Sequence, residues 1–369
     1  MLYLDNAATS FPKPRGVSKA VKKCIDKYCG NPSRSSHFYS VKAAEQVYLT
    51  RESIANEFGI NEPERVVFTV NATYSLNTAI KCLISAPCHV LISDLEHNSV
   101  LRPLVKLSES VGITFSRFDT DGDIAGNLEE ALTPDTRAIV STLSSNVTGK
   151  TIPPDIISNF ASRHGLISIA DASQLAGHRR IDLSAHPFTA LCAPGHKALF
   201  GTQGVGFIIL DKNVSADTLV EGGSGASSLS PTMPDYLPER FEAGTLPTPA
   251  IVGLRQGLRY IDERGIDDIN VYLYQLTEYC RERLCAIKNM QIFGAENGIV
   301  SFRIAGVCCD ELARSLDERG ICVRSGLHCA PLVHRKLGTI KTGLIRISFS
   351  ALSKRSDADM LCRTLKDIL

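Results

Sequence analysis

The chain predicts an α/β fold with a large, mostly parallel sheet and a smaller α+β domain. Three observations carry this expectation. Short β-rich runs alternate with helical segments through the first 210 residues, a Gly/Ser/Pro-rich stretch then breaks the alternation, and longer helices with a different strand spacing follow it. Helical periodicity with polar faces covers residues 17–28, 41–58, 74–84 and 99–111. The β-rich runs are 66–70, 89–93, 113–118, 138–143, 166–170, 188–192 and 205–210. Strands separated by helical segments imply βαβ crossovers and a sheet buried on both faces. From Glu221 to Pro249 the pattern lapses, with Gly222-Gly223-Ser224-Gly225 at its start, and such a long loop is usually functional or mobile. Helices are expected over 249–264, 267–287 and 310–319, strands over 299–304 and 344–349, and a last helix from Ser356 with Asp359 in a capping box. The expected division is a large domain over 15–248 and a small one over 249–369, with residues 1–14 packing against the small one.

Composition narrows the function classes. Of 369 residues, 44% are apolar and 21% charged, which fits a folded globular protein and not a disordered, collagenous or coiled-coil chain. Forty Lys and Arg against 39 Asp and Glu leave a net charge of +1, without the basic excess that grips phosphate backbones, so no nucleic-acid partner is expected. The longest apolar runs, such as 205–210, are strand-sized, and the opening Met1-Leu2-Tyr3-Leu4-Asp5 lacks a basic stretch followed by an apolar run, so no membrane partner is expected. Twelve cysteines are too sparse for a disulfide scaffold and none has paired metal-ligand spacing, so the expectation is a cytoplasmic protein with reduced thiols and no metal.

Two segments can carry chemistry. Ala193-Pro194-Gly195-His196-Lys197 follows an apolar strand and precedes another, so Lys197 sits in a glycine-punctuated turn at a strand end, where ligands gather in open α/β sheets. A lysine held there can form a Schiff base with a carbonyl cofactor, although a lone lysine in such a turn is more often an ordinary surface residue. Leu166-Ile167-Ser168-Ile169-Ala170-Asp171 is a buried strand ending on a carboxylate. Pyridoxal phosphate needs an anion beside its pyridinium nitrogen, and Asp171 suits that role; its plain alternative is a helix cap. One βα excursion separates Asp171 from Lys197, so both can face one cleft.

Further segments make the chain similar to class V aminotransferases, pyridoxal-phosphate enzymes, and in particular to their cysteine desulfurase/selenocysteine lyase branch. They are Tyr3-Leu4-Asp5-Asn6-Ala7-Ala8-Thr9-Ser10 with Pro12-Lys13-Pro14, Asn31-Pro32-Ser33-Arg34 with His37, Glu96-His97-Asn98-Ser99 and Ser145-Asn146-Val147-Thr148-Gly149. Phe241-Glu242-Ala243-Gly244-Thr245, Arg324-Ser325-Gly326-Leu327-His328-Cys329-Ala330 and Ile345-Arg346-Ile347-Ser348 complete the set in the family's order.

The resemblance implies a fold-type I homodimer that converts L-cysteine, or L-selenocysteine, to alanine and passes sulfur to a protein acceptor that the sequence does not name. It implies Lys197 as the cofactor's attachment point and general base, Asp171 and Gln174 against the ring, and His97 stacked on it. Asn146 approaches the ring hydroxyl and the substrate. Thr73, in a strand-to-helix turn, and His196 hold the phosphate. Arg346 takes the substrate carboxylate with its fork, joined by His37 and Arg324. Cys329 is placed where the family carries the thiol that attacks the substrate sulfur, and Arg324 and His328 supply nearby positive charge that favours a thiolate. Three departures stand out: Pro194 offers neither hydroxyl nor N–H before Gly-His-Lys, Ala72 lacks a hydroxyl, and Ser350-Ala351-Leu352-Ser353 replaces a Tyr-Asn-Thr stretch. The phosphate grip then leans on Thr73, His196 and Thr245 from a second subunit. The rival expectations are another class V activity, such as an aminotransferase or a kynureninase-like lyase, or a catalytically silent scaffold.

Overall fold

The computed structural model describes residues 1–32 and 35–369, so Ser33 and Arg34 of the segment noted above lie outside the described residues. Along the chain run β1 (Leu2–Tyr3), α1 (Arg15–Lys27), α2 (Phe38–Glu57), β2 (Val66–Thr69), α3 (Ala72–Leu83), β3 (His89–Ser93) and α4 (Asn98–Ser110). These are followed by β4 (Thr114–Phe118), α5 (Ile124–Ala131), β5 (Thr136–Thr142), α6 (Pro154–His164), β6 (Ile167–Asp171), β7 (Ala190–Pro194) and β8 (Gly206–Leu210). Strands β2 to β8 form one sheet in the order β2-β8-β7-β6-β5-β3-β4, with β8 antiparallel to both neighbours and the rest parallel.

The sheet is apolar on both faces because successive side chains point to opposite sides. Leu91, Ile139, Leu191 and Phe207 enter one core, and Val90, Val140, Cys192 and Ile208 enter the other. The first core continues without a break beneath the second sheet, through Val300, Phe302, Ile345 and Ile347. That sheet follows the helices α7 (Thr248–Arg264) and α8 (Ile266–Cys285), and comprises β9 (Met290–Glu296), β10 (Ile299–Ile304), β12 (Arg324–Gly326) and β13 (Leu344–Ser348). Its order is β12-β13-β10-β9, all antiparallel. Between these strands lie α9 (Cys309–Asp317), β11 (Ile321–Cys322) and α10 (Pro331–Lys336), and α11 (Arg355–Ile368) closes the chain.

The N-terminal segment is stitched to the second sheet. β1 pairs in parallel with β11, and Ser348 N–H donates to the Leu4 carbonyl at 2.7 Å. The 221–249 stretch has no strand or α-helix until its last two residues, but Glu242 anchors it: the buried carboxylate pairs with Arg51 at 2.5 Å and accepts the Phe68 N–H at 2.6 Å. Two glycines permit close approaches that a side chain would block. A Cβ at Gly149, where φ is +76°, would lie 1.8 Å from the Glu296 carbonyl oxygen, and one at Gly257 in α7 would lie 2.0 Å from the Leu199 carbonyl oxygen. The first clamps the Asn146 loop onto β9, and the second seats α7 against the turn that follows Lys197.

The last helix departs from expectation. It begins at Arg355, and the carboxylate that reaches back is Asp357, accepting the Lys354 N–H at 2.8 Å. Asp359 instead pairs with Arg283 at 2.9 Å and accepts the Tyr279 hydroxyl at 2.7 Å, joining α11 to α8. Among the described residues, no helix is long and apolar enough to cross a membrane.

Candidate active site

Every parallel strand of the large sheet ends on the same edge, and chemistry-bearing residues come off successive ends. Beyond β2 lie Asn71, Ala72 and Thr73 at the start of α3, whose N-terminus is capped by Asn71 accepting the Tyr74 N–H at 2.9 Å. Beyond β3 lies His97, beyond β5 the Ser144–Asn146 loop, at the end of β6 Asp171, and beyond β7 His196 and Lys197. Residues from all five ends line one cavity of about 220 Å³, which sits below the roughly 300 Å³ at which drug-sized pockets begin.

The Lys197 turn is held from the N-terminus. Ser10 Oγ donates to the Lys197 carbonyl at 2.8 Å, and Lys13 Nζ donates to the His196 carbonyl at 2.8 Å. Burial lowers the Lys197 ammonium to about 8; Asp171 opposes the shift, while Arg346 and Arg324 reinforce it. Asp171 is only 2% exposed, and its Oδ1 accepts the Ser173 N–H at 2.9 Å. Gln174, one turn on, donates through Nε2 to the Ala7 carbonyl at 3.0 Å. His196 keeps a buried Nδ1 without a partner among the described residues.

His97 caps α4 with its own ring: Nδ1 accepts the Ser99 N–H at 3.1 Å and lies 2.8 Å from Ser99 Oγ. Burial pushes its imidazole down to about 4, with Asp171 opposing. The ring is therefore neutral at pH 7 and, since Nδ1 accepts, its proton is on Nε2. Beneath it, Glu96 is fully buried; Oε1 lies 2.5 Å from Ser93 Oγ and accepts the Thr142 N–H at 2.7 Å, and burial raises the carboxyl to about 8. Glu96 thus ties the β3 and β5 ends together.

Arg346, 1% exposed, is fixed before any ligand arrives. Its Nη2 pairs with Asp5 Oδ1 at 2.6 Å and its Nη1 donates to the Asn146 carbonyl at 2.9 Å, while Nε is buried and unpartnered among the described residues. Asn146 Nδ2 donates to the His328 carbonyl at 2.7 Å, and Asn98 N–H donates to the Cys329 carbonyl at 2.8 Å. These bonds hold two consecutive left-handed residues, His328 at φ +51° and Cys329 at φ +57°. Such backbone is uncommon outside glycine and clusters at functional sites. The Cys329 thiol is exposed, lines the cavity, and lies 3.9 Å from Arg324 Nη2.

The cavity thus gathers Lys197, Asp171, Gln174, His97, Thr73, His196, Asn146, Arg324, Arg346 and Cys329. It does not gather His37 or Thr245. His37 caps α2 by accepting the Ser40 N–H at 3.3 Å, and Thr245, exposed, accepts from Asn31 Nδ2 at 3.2 Å. Sequence reasoning assigned no role to Asp5, Glu96, Ser99, Ser144 or Ser173. Asp5, Glu96 and Ser99 lie inside the segments that carry the resemblance, and Ser144 and Ser173 beside named residues, but nothing local shows which partners they meet; Asp5 is far from its partner in sequence.

Comparisons with known proteins show which family the chain resembles. The family model for "Aminotransferase class-V" matches residues 2–361. A protein of Streptomyces coelicolor named "Probable cysteine desulfurase" is 32% identical, the match covering 100% of this chain and 92% of that protein. A protein of the same name from Methanothermobacter thermautotrophicus is 29% identical over 100% of this chain and 94% of its own length. Among solved structures, the apo cysteine desulfurase from Thermococcus onnurineus superposes with a TM-score of 0.91 at 26% identity, covering 100% of this chain and 94% of that one. With the family model spanning nearly the whole sequence and the strand-end site in place, the chain belongs to the class-V aminotransferase family.

Proposed function

We propose that this enzyme is a pyridoxal-phosphate-dependent cysteine desulfurase, which takes the sulfur of L-cysteine onto Cys329 as a persulfide and releases alanine. The observation that carries this reading is the exposed Cys329 thiol, held on left-handed backbone beside Arg324, in the cavity that also contains Lys197 and Asp171. An aminotransferase has no use for such a thiol.

The residues fit the cofactor. A buried carboxylate at a strand end suits a pyridinium nitrogen, and a lysine with its ammonium lowered to about 8 suits a carbonyl carbon. The unpartnered Nδ1 of His196, together with the hydroxyl and N–H groups at the α3 N-terminus, suits a phosphate where Pro194 and Ala72 offer no hydroxyl. When bound, pyridoxal phosphate supplies an electron sink for a carbanion at the substrate α-carbon.

The chain's own residues then divide the work. Arg346 binds the substrate carboxylate, positioned for it by Asp5 and the Asn146 carbonyl. Asp171 would hold a proton at the ring nitrogen of the bound cofactor, and the neutral His97 imidazole would cover the ring. Lys197 moves the proton at the substrate α-carbon as general base. Cys329, as thiolate, attacks the substrate Sγ: the S–S bond forms, the Cβ–Sγ bond breaks with its electron pair left on the carbon side, and protonation of that carbon together with return of a proton to the α-carbon, from which Lys197 had taken one, yields alanine. L-Selenocysteine follows the same course with a better leaving atom. A second protein accepts the persulfide sulfur. The enzyme is a homodimer in which Thr245 reaches the partner's cofactor phosphate and His37 takes part in substrate binding, and it works in the cytoplasm, since transfer through a free thiol needs a reducing compartment. The large domain spans residues 15–248 and the small one 249–369, with residues 1–14 packing against the small one.

Incubation of the holoenzyme with L-cysteine tests this reading. It requires alanine and sulfide in equal amounts when reductant is present. Turnover of alanine with a 2-oxo acid, or cleavage of kynurenine, in place of L-cysteine turnover would assign the chain to another activity of the family.

A further inference from the structure

Behind the Cys329 loop lies a row of buried polar side chains that the reaction does not use. His334, fully buried in α10, has its Nδ1 2.8 Å from Thr339 Oγ1 and its Nε2 3.4 Å from His328 Nδ1. His328 Nε2 lies 3.4 Å from the Arg324 carbonyl oxygen, and the two rings stack with centroids 5.6 Å apart. The direction of the row follows from one end. A carbonyl only accepts, so His328 Nε2 carries a proton and donates; in a neutral ring its Nδ1 then accepts. His334 must therefore donate through Nε2, its Nδ1 accepts, and the Thr339 hydroxyl donates. Burial, reinforced by Arg346, holds His328 at about 3, and burial lowers His334 too, so both rings are neutral; the positive charge beside the Cys329 thiol is that of Arg324, and His328 does not add to it as the sequence suggested. No donor faces a donor and no buried nitrogen is left over.

We propose that Thr339, His334 and His328 form a directed, neutral hydrogen-bond column that fixes the Arg324–Cys329 loop, and that His334 is a positioning residue for the Cys329 thiol. The column ends on the carbonyl of Arg324, whose guanidinium lies beside that thiol, and His328 is the residue before Cys329. Asn146 and Asn98 hold the same two residues from the other side through the His328 and Cys329 carbonyls. The thiol is thus exposed while the backbone that carries it is clamped from both sides. The role in sulfur transfer rests on the desulfurase reading; the proton positions do not.

The test uses the holoenzyme. Nitrogen-15 NMR of the imidazoles at neutral pH should show His328 and His334 both neutral with the proton on Nε2. Thr339→Val should lower kcat for alanine formation from L-cysteine about tenfold, the scale of a small misplacement at a reacting group, with KM and cofactor retention unchanged. Thr339→Ser, which keeps the donor, should restore kcat. A cationic His334, a proton on its Nδ1, or an unaltered kcat in Thr339→Val would overturn the proposal. Should the wild-type protein form no alanine, the desulfurase reading falls, and alkylation of Cys329 by iodoacetamide then decides the positioning role. A rate altered in Thr339→Val and normal in Thr339→Ser supports that role, and equal rates in all three proteins overturn it.

Discussion

Arg346 and Asp5 form an ion pair at 2.6 Å between residues 341 positions apart, joining an inner strand of the small sheet to the start of the chain. The arginine side chain is 1% exposed and the aspartate 21%, so the pair lies between a surface bridge and a buried one. Asp5→Ala should lower unfolding stability by roughly 1–3 kcal/mol, because it leaves a buried guanidinium without its counter-charge. Urea denaturation followed by circular dichroism measures this. Arg346→Lys should raise KM for L-cysteine about tenfold or more, since a lysine cannot form the two-pronged carboxylate contact; an unchanged KM would remove Arg346 from the substrate site.

Lys197 should be the only lysine that retains the cofactor. After borohydride reduction and proteolysis, pyridoxal phosphate should remain on the peptide containing Lys197, and Lys197→Ala should bleach the protein. Since burial lowers the ammonium to about 8, the reactive neutral amine grows as pH rises through that value. The rate of cofactor capture by apoprotein should therefore climb between about pH 7 and 9. A rate that stays flat there and rises only near the ordinary lysine value would contradict the environment assigned to it.

Thr245 lies outside this chain's own cavity, so its expected contact with phosphate needs a second copy. Sedimentation should show a homodimer, and Thr245→Ala should weaken cofactor retention by roughly 1–3 kcal/mol, the worth of one charge-assisted bond to a buried phosphate. A monomer with full cofactor occupancy would rule this contact out.

Lys336, at the end of α10, pairs with Asp94 at 2.5 Å, Asp119 at 2.7 Å and Asp121 at 2.7 Å, fastening the helix that follows Cys329 to the β3 and β4 ends. Two of the carboxylates are well exposed, so Lys336→Met should cost about 1 kcal/mol at neutral pH. The Lys336 hydrogen bond holds Asp119 down at about 2. A carboxyl with a lowered folded-state value adds stability above its unfolded value near 4 and loses it as pH falls through the folded one. The gap between wild type and variant should close between about pH 4 and 2, as thermal unfolding across that range would reveal.

The inner strands of the large sheet were legible because they are short, apolar and buried on both faces, and His89–Ser93 matches its expected bounds; in the small sheet Ile299–Ile304 does so too. Neither α5 nor α6 was expected: α5 buries only Leu128 and so carries almost no periodic signal, whereas α6 buries Ile157, Phe160 and Ala161 at helical spacing after Pro153 and was missed all the same. Strand β9 has no buried residue and hence no alternation to read. Strands β1 and β11, two residues each, exist only through their pairing across the chain. At the site, residues at strand ends were readable one by one. Partners such as Asp5 for Arg346, or His334 and Thr339 behind Cys329, depend on contacts that no local pattern encodes.

Cys329 carries the central claim. Cys329→Ser should still bind pyridoxal phosphate and L-cysteine, which rely on Lys197, Asp171 and Arg346, but should fail in sulfur transfer, because a hydroxyl is a poor nucleophile toward sulfur at neutral pH and a thiolate is a strong one. The most direct measurement is mass spectrometry of wild-type protein given L-cysteine without reductant. The peptide containing Cys329 should gain the mass of one sulfur atom, and the same peptide in Cys329→Ser should gain none. An unmodified Cys329 peptide together with undiminished alanine formation by Cys329→Ser would mean that the thiol is structural and that the enzyme follows another reaction of its family.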